Sequence, residues 1–552
     1  MLHAGSYRGA EFMPWPDGLE YAAMTVNLAR GLGPALHFGG YTYPSRYTPG
    51  YPLLLAPLVP RIVALAHAYC LTIVFGLLAI ATLYALTRRM FDRACAIVAA
   101  LLMAASPVFV TYSTMVLSDV PAMLLAIVAA AIFFAIAVEE KTPHRRPRAR
   151  LALWAAFGLA AGCSILIRPT DAALVAGAAL AIILVPPAGE SPADLATPLA
   201  AFAAAFVLPV LWLMRVNSEY LGGAFRSGYA WWVKEVYGAG GIGFSPAYLF
   251  GATMPGNPHG NVPVYLTSLL GVDGILGNRG DARYFLYPFP AAIFAIIGLV
   301  AIIRTPGFRA ARRVVWLGLG FLGALFTVYI FHVFTDVVFL LPGAFVMFIA
   351  AGYGTALANR WMRAAYAAPR RTSRQTGGLL GVVILDAILL IAIGTEAVAR
   401  LSAPPRASAI VAALEQVNAK LPPDATVVSN ISLEFLQLYI PGTGRNFIGL
   451  SSRDPGERFT DYNLSRLFVK RSQGWTGPIP PTIFINDAIS PAAEKQLETA
   501  SRTSAGAYLL LCAPESRDYA TTLRDEVSKL GRRFSMSTLN QGHSIALFQL
   551  SS

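Results

Sequence analysis

The sequence predicts a polytopic α-helical membrane protein of about ten spans that carries a C-terminal α/β domain. Three observations lead there. Of its 552 residues, 56% are apolar and 13% charged, where ordinary soluble proteins carry about a quarter charged; the mean hydropathy is +0.55. Apolar runs close to the length of a bilayer-crossing helix, about 20 residues, recur through the first 400 positions. Past that point the pattern turns into short runs alternating between strand and helix periodicity.

The runs cover 63–87, 94–110, 120–138, 151–167, 172–187, 198–215, 285–303, 314–333, 337–358 and 377–398. The fourth and fifth are short and divided only by "RPTD", Arg168 to Asp171, so they read either as two spans or as one broken helix. Loop charge orients the set. Arg88, Arg89 and Arg93 fall in one loop, Lys141, Arg145, Arg146, Arg148 and Arg150 in the second loop after it. Arg304, Arg309, Arg312 and Arg313, then Arg360, Arg363, Arg370, Arg371 and Arg374, fall in loops of the same parity. The positive-inside rule makes that side cytoplasmic. This distribution also answers the net charge of +13: the basic residues orient helices and do not form a nucleic-acid surface.

The opposite, external face then receives residues 1–62, the short loops ending in Asp119, Asp171 and Asp336, the loop 216–284, and everything from about 401 onward. An external segment of that length with no leading helix has no evident route across the membrane, so a further helix is expected ahead of it. The three-part division is 1–62, 63–400 and 401–552. In the last part "AIVAALEQVNAKL", "PAAEKQLETA" and "YATTLRDEVSKL" read as helices, and "ATVVSN", "PTIFIN", "AYLLLCA" and "HSIALFQL" as strands, the mixture of a compact α/β domain. The four cysteines form no CxxC pair, so neither a zinc site nor a disulfide framework is expected.

Acidic groups are scarce, which makes their places informative. "PWPDGLEYAAM" sets Asp17 and Glu20 at the start of a helical pattern. One reading is a capping box, in which the two satisfy free N–H groups; the other is a catalytic carboxylate. Asp119, Asp171 and Asp336 each stand at an external helix mouth, where a carboxylate either caps the following helix or serves a site. His259 and His332 are external as well, though a surface or interfacial histidine commonly binds nothing. The aromatic stretch "SGYAWWVKEVYG" suits sugar stacking or an interfacial belt. "GAGGIGF" follows no strand and is no nucleotide fingerprint.

The stretches "DGLEYAAMTVNLARG" and "GGYTYPSRYTPGYPLLLAPL" together resemble the GT-C superfamily of membrane glycosyltransferases. They are most similar to the family 39 branch: the dolichyl-phosphate-mannose protein mannosyltransferases and their bacterial aminoarabinose-transferase-like relatives. Asp17, Glu20 and Tyr21 match the acid, the polar residue and the Tyr of the family's first external loop, and Arg46 its basic residue before "PGYP". "SDVP" at Ser118–Pro121 and "IRPT" at Ile167–Thr170 look like further landmarks. The family's late "D-x-R-Y-x-L-P" segment is divided here between "TDVVFLLP", which lacks the Arg, and "DARYFLYP" with Arg283.

The resemblance implies a sugar moved from a polyprenyl-phosphate donor to an external protein, lipid or glycan acceptor, in a bacterial plasma membrane. A phosphate leaving group is stable as an anion, so one carboxylate suffices as base, where glycoside hydrolysis needs two. Asp17 is that base, with Glu20 beside it. Arg46, Arg168 and Arg283 are the expected phosphate contacts, since forked guanidinium donors fit phosphate. Tyr21, Tyr47, Asp119 and Asp336 are expected to position sugar or acceptor. No cofactor is required and no metal ligand set is evident, a divalent ion being compatible with the chemistry. The competing class is a transporter or lipid flippase, which would show repeat symmetry and polar sites near the bilayer midplane. No repeat is visible.

Overall fold

The computed structural model describes residues 16–38, 41–57, 65–139, 147–187, 191–232, 237, 241–251, 253, 259–272, 286, 289–367, 384, 387, 391, 409–429, 436, 445–449, 491–502, 506–512, 528–532, 534–541 and 545–551. In chain order these form helix α1 (Pro16–Ala29), a hairpin β1 (Ala35–Phe38) and β2 (Tyr41–Pro44), and the short α2 (Gly50–Leu55). The membrane helices follow: α3 (Leu65–Met90), α4 (Arg93–Ala105), α5 (Pro107–Ser113), α6 (Asp119–Glu139), α7 (Pro147–Ile167), α8 (Ala173–Leu184) and α9 (Pro192–Leu221). Then come α10 (Gly228–Trp232), α11 (Asn261–Leu270), α12 (Phe289–Arg304), α13 (Arg309–Tyr329) and α14 (Phe345–Ala367). The C-terminal elements are α15 (Ala409–Lys420), β3 (Thr426–Ser429), β4 (Asn446–Gly449), α16 (Pro491–Ser501), β5 (Ala507–Cys512), β6 (Ser535–Gln541) and β7 (Ile545–Ser551). The chain divides into two compact units, Met1–Ala68 with Val216–Ile242 and Pro404–Ser552, and Tyr69–Arg215 with Gly243–Ala403.

The second unit is a helical bundle. Among the described residues five helices are long and apolar enough to cross a bilayer, and two bent pairs and two shorter apolar helices join them. These coincide with the first nine runs of the sequence; the run 377–398 lies almost wholly outside the described residues. Runs four and five are separate helices, because Arg168 is extended and Pro169–Ala172 forms a 3₁₀ turn between them. Two runs expected to be continuous are bent instead. The chain turns by 65° between α4 and α5, where Ser106 caps α5 ahead of Pro107, and by 68° between the 3₁₀ segment Val337–Gly343 and α14. Proline at a helix start tolerates such a break, its missing N–H being one that would be unpaired anyway.

Helices pack closely where glycine permits it. A Cβ on Gly298 of α12 or Gly354 of α14 would collide with the backbone of the facing helix, at Ala350 and Phe294 respectively, so both positions exclude larger residues, as in other small-residue membrane contacts. Among the described residues, one end of the bundle brings together three of the arginine-bearing segments, around residues 91–93, 308–313 and 353–360. Phe91 lies 4.5 Å from Tyr353 and 5.4 Å from Phe308 between ring centroids. Asp92 pairs with Arg360, and Arg309 and Arg313 donate to the carbonyls of Pro186 and Val185 at the end of α8, where cations offset the helix dipole.

In the first unit, β1 and β2 pair antiparallel. Asn27 Nδ2 ties α1 to this hairpin through the carbonyl of Ala35, 2.7 Å away. The C-terminal part is a five-stranded sheet of order β4-β3-β5-β7-β6. Strands β4, β3 and β5 are parallel, and β7 and β6 are antiparallel additions. Val428, Leu497, Leu509 and Leu530 form its core. The expected helices 409–420 and 491–501 and strands β3, β5 and β7 are present, whereas "PTIFIN" lies outside the described residues. Two strands were not anticipated, the short "NFIG" of β4 and the polar "SMSTLNQ" of β6.

Candidate active site

Among the described residues, each unit holds a buried cluster that contains acidic, basic and aromatic side chains named by the sequence. In the first unit, α1 begins at Pro16, so Asp17 sits inside its first turn and not at the N-cap. Glu20 does not reach back to close a capping box either. Buried to 1% exposure, it faces the segment after β2. Its Oε1 accepts from Ser45 Oγ at 2.7 Å and from the Arg46 backbone N–H, and its Oε2 accepts from Arg46 Nε at 2.6 Å. The capping-box expectation is therefore corrected: a buried glutamate adjacent to an arginine gains more from a charge-assisted pair than from capping.

Asp17 stands three residues earlier, half-buried, and among the described residues it forms no hydrogen bond or ion pair. Tyrosines surround this carboxylate. Tyr21 lies 4.7 Å from Tyr47 and 5.3 Å from Tyr51, and Tyr47 meets Tyr229 edge-on at 5.4 Å. Burial first, and the charge of Asp17 next, raise the phenols of Tyr47 and Tyr229 well above their ordinary range. Arg46 lies over the Tyr47 ring at 5.5 Å, a cation–π distance. Tyr229 reaches this place because α10 begins at Gly228, whose missing side chain lets the chain touch Ser45 and Arg46. A Cβ there would stand 2.7 Å from the Arg46 Cα and closer still to the Ser45 carbonyl.

In the second unit, Asp119 at the start of α6 forms a buried ion pair with Arg168. Arg168 also donates to Tyr329 Oη at 3.1 Å, and that hydroxyl donates to Thr170 Oγ1 at 3.2 Å. Phe339 stacks on Tyr329 at 4.4 Å and lies 5.9 Å from the guanidinium. Ser164 Oγ donates to Asp171 at 2.6 Å, and Tyr112 Oη donates to Asp336 at 2.7 Å. Asp336 caps the 3₁₀ segment 337–343 through the Val338 N–H. Burial, opposed by those two hydrogen bonds, raises its carboxyl to about 6.

The structure thus brings Asp17, Glu20, Tyr21, Arg46 and Tyr47 together, and separately Asp119, Arg168 and Asp336. Arg283 lies outside the described residues, and His259 is exposed. Sequence reasoning passed over Ser45 and Tyr329, and left Tyr229 as an undistinguished member of an aromatic stretch. Their partners lie tens to hundreds of positions away, and only the run "SGYAWW" gave a signal. Among the described residues no three His, Cys, Asp or Glu side chains converge so as to hold a metal ion.

Residues 61–214 match the family model described as dolichyl-phosphate-mannose-protein mannosyltransferase. Among solved structures, ArnT from Cupriavidus metallidurans bound to undecaprenyl phosphate is similar with a TM-score of 0.61 at 14% identity, over 99% of this chain and 96% of that one. The Archaeoglobus fulgidus oligosaccharyltransferase tethered to an acceptor peptide gives 0.51 at 12% identity, over 97% and 72%. The mycobacterial arabinofuranosyltransferase AftD gives 0.50 at 14% identity, over the whole of this chain but 39% of that one. No curated protein matches the sequence. The likeness to ArnT, over nearly the whole of both chains, shows a shared fold, and the family match covers the helices from residue 61 to residue 214.

Proposed function

We propose that this protein is a membrane glycosyltransferase that moves a sugar from a polyprenyl-phosphate donor to a protein, lipid or glycan acceptor at the external face of a bacterial plasma membrane, inverting the anomeric centre, with Asp17 as the base. The observation that carries this reading is the division of labour between neighbouring carboxylates. Glu20 is consumed by Ser45 and Arg46, whereas Asp17, inside a shell of tyrosines, has no such partner among the described residues. A base must be held yet uncommitted, and Asp17 meets both conditions.

In this reaction the acceptor oxygen or nitrogen attacks the anomeric carbon, its proton passes to Asp17, and the bond to the donor phosphate breaks with the electron pair leaving on the phosphate. Arg46, fixed from its Nε side by Glu20, offsets charge on that phosphate. Arg168, fixed by Asp119 and Tyr329, is assigned a phosphate contact as well, and Arg283 is a third. Tyr21, Tyr47 and Tyr229 present ring faces and edges to the sugar, and Asp336 serves acceptor positioning. Support for the donor class comes from the ArnT structure described with undecaprenyl phosphate. The test is incubation of the purified protein with a panel of polyprenyl-phosphate sugars. Release of free polyprenyl phosphate with an inverted glycoside is expected; a retained configuration, or turnover only with nucleotide sugars, overturns the reading.

A further inference from the structure

Between Glu235 and Asp273 the sequence has no acidic or basic side chain except His259. By hydropathy this is part of an aqueous loop, since no run in it approaches the length of a span. The described residues contradict a solvated loop in two ways. First, polar backbone groups are satisfied within the protein. Ser245 N donates to the Phe331 carbonyl at 2.8 Å, Val333 N to Gly243 at 2.9 Å, and Val262 N to Leu249 at 3.0 Å. Asn261 Nδ2 donates to His332 at 2.6 Å, its carbonyl oxygen accepts from Thr335 Oγ1, and the Thr253 hydroxyl joins Thr335.

Second, what faces outward is apolar. Phe250 is 70% exposed and Phe244 54%. In α11, Val264, Tyr265 and Ser268 are buried, and Leu266 and Leu270, one turn apart on the opposite face, are exposed. A surface helix in water would carry polar residues there. Instead α11 exposes leucines, and it packs against α12, whose Ile296, Ile297 and Val300 are likewise exposed. Backbone polar groups paired internally beneath a charge-free apolar surface are what a lipid environment demands.

We propose that the described residues 243–251 and 259–270 are seated in the boundary between headgroups and acyl chains of the bilayer, with Phe244, Phe250, Leu266 and Leu270 in contact with lipid. The hydrogen bonds to residues 330–335 join this seat to Tyr329, and so to Arg168. The segment therefore fixes the depth of the Asp119–Arg168 cluster relative to the headgroups.

The test uses the full chain with its four cysteines replaced by serine, in phosphatidylcholine and phosphatidylglycerol nanodiscs holding one protein each. An environment-sensitive NBD probe is placed by Phe250→Cys, Leu266→Cys or, as an aqueous control, Lys495→Cys. Blue-shifted emission at 250 and 266, quenched by shallow doxyl lipid and resistant to iodide, with the reverse at 495, is expected. Iodide quenching equal to that at 495 overturns the proposal. So does resistance to iodide without doxyl quenching, which would mean that protein covers the patch. Hydroxyl-radical footprinting of the unmodified protein in the same nanodiscs reads Phe244 and Phe250 without any substitution: protection is expected, and oxidation at the rate of a free peptide overturns the proposal.

Discussion

Glu20 and Arg46 form a buried pair in which one carboxylate holds both the backbone N–H and the Nε of one arginine. This pair ties α1 to the segment after the hairpin, 26 positions on in sequence. Asp17, one turn earlier, takes no part in the pair and is the carboxylate proposed as the base.

Removing one member of the pair leaves a buried charge without its counter-ion, at a cost of about 3–5 kcal/mol. Glu20→Ala is expected to lower stability by that order. Combining it with Arg46→Ala should cost less than the sum of the two single changes, by an interaction energy of about 0.5–3 kcal/mol. Thermal or chemical unfolding in detergent checks this; strict additivity would show that the pair is energetically idle.

Gly228→Ala places a methyl group against the Ser45 carbonyl and the Arg46 Cα, 2.7 Å from the latter. Because both neighbours are backbone, the chain must shift. Transfer activity is expected to fall at least about tenfold, a loss on the order of 1.4 kcal/mol in barrier, with the C-terminal domain's unfolding unchanged. Undiminished kcat/KM in this variant would show that α10 does not position Arg46.

The carboxyl of Asp336 moves from an ordinary 3.8 to about 6 in the folded protein. The folded state then holds its proton to higher pH than the unfolded chain does. That contribution is complete below pH 4 and is lost as pH rises through about 6. Asp336→Asn is expected to flatten the pH dependence of Tm across that window. Tyr112→Phe, which removes a donor to the ionised form, should move the window upward. An unchanged profile in both variants contradicts this assignment.

Much of the fold was legible because it follows from periodicity and local charge. Nine apolar runs reappear as helices or bent helix pairs, and arginine-bearing loops placed together by parity do meet, as Asp92 and Arg360 show. The two bends were not legible, since Ser106-Pro107 and Asp336 act by capping inside hydrophobic runs whose average masks them. Strand β6 was missed because Ser-Met-Ser-Thr-Leu-Asn-Gln offers little apolar alternation and is recruited by pairing with β7. At the site, the residue types were readable and their partnerships were not. Nothing near Glu20 in sequence announces Ser45 and Arg46 as its partners, and Tyr329 gains meaning only against Arg168 and Thr170.

The central claim is that Asp17 takes the acceptor's proton. Its most direct test is kcat for transfer from a polyprenyl-phosphate sugar by Asp17→Asn, an isosteric change that keeps polarity and abolishes basicity at neutral pH. The account predicts a loss of about 10²–10⁴-fold, the scale of general-base catalysis, with donor binding retained. Transfer at the wild-type rate would contradict it.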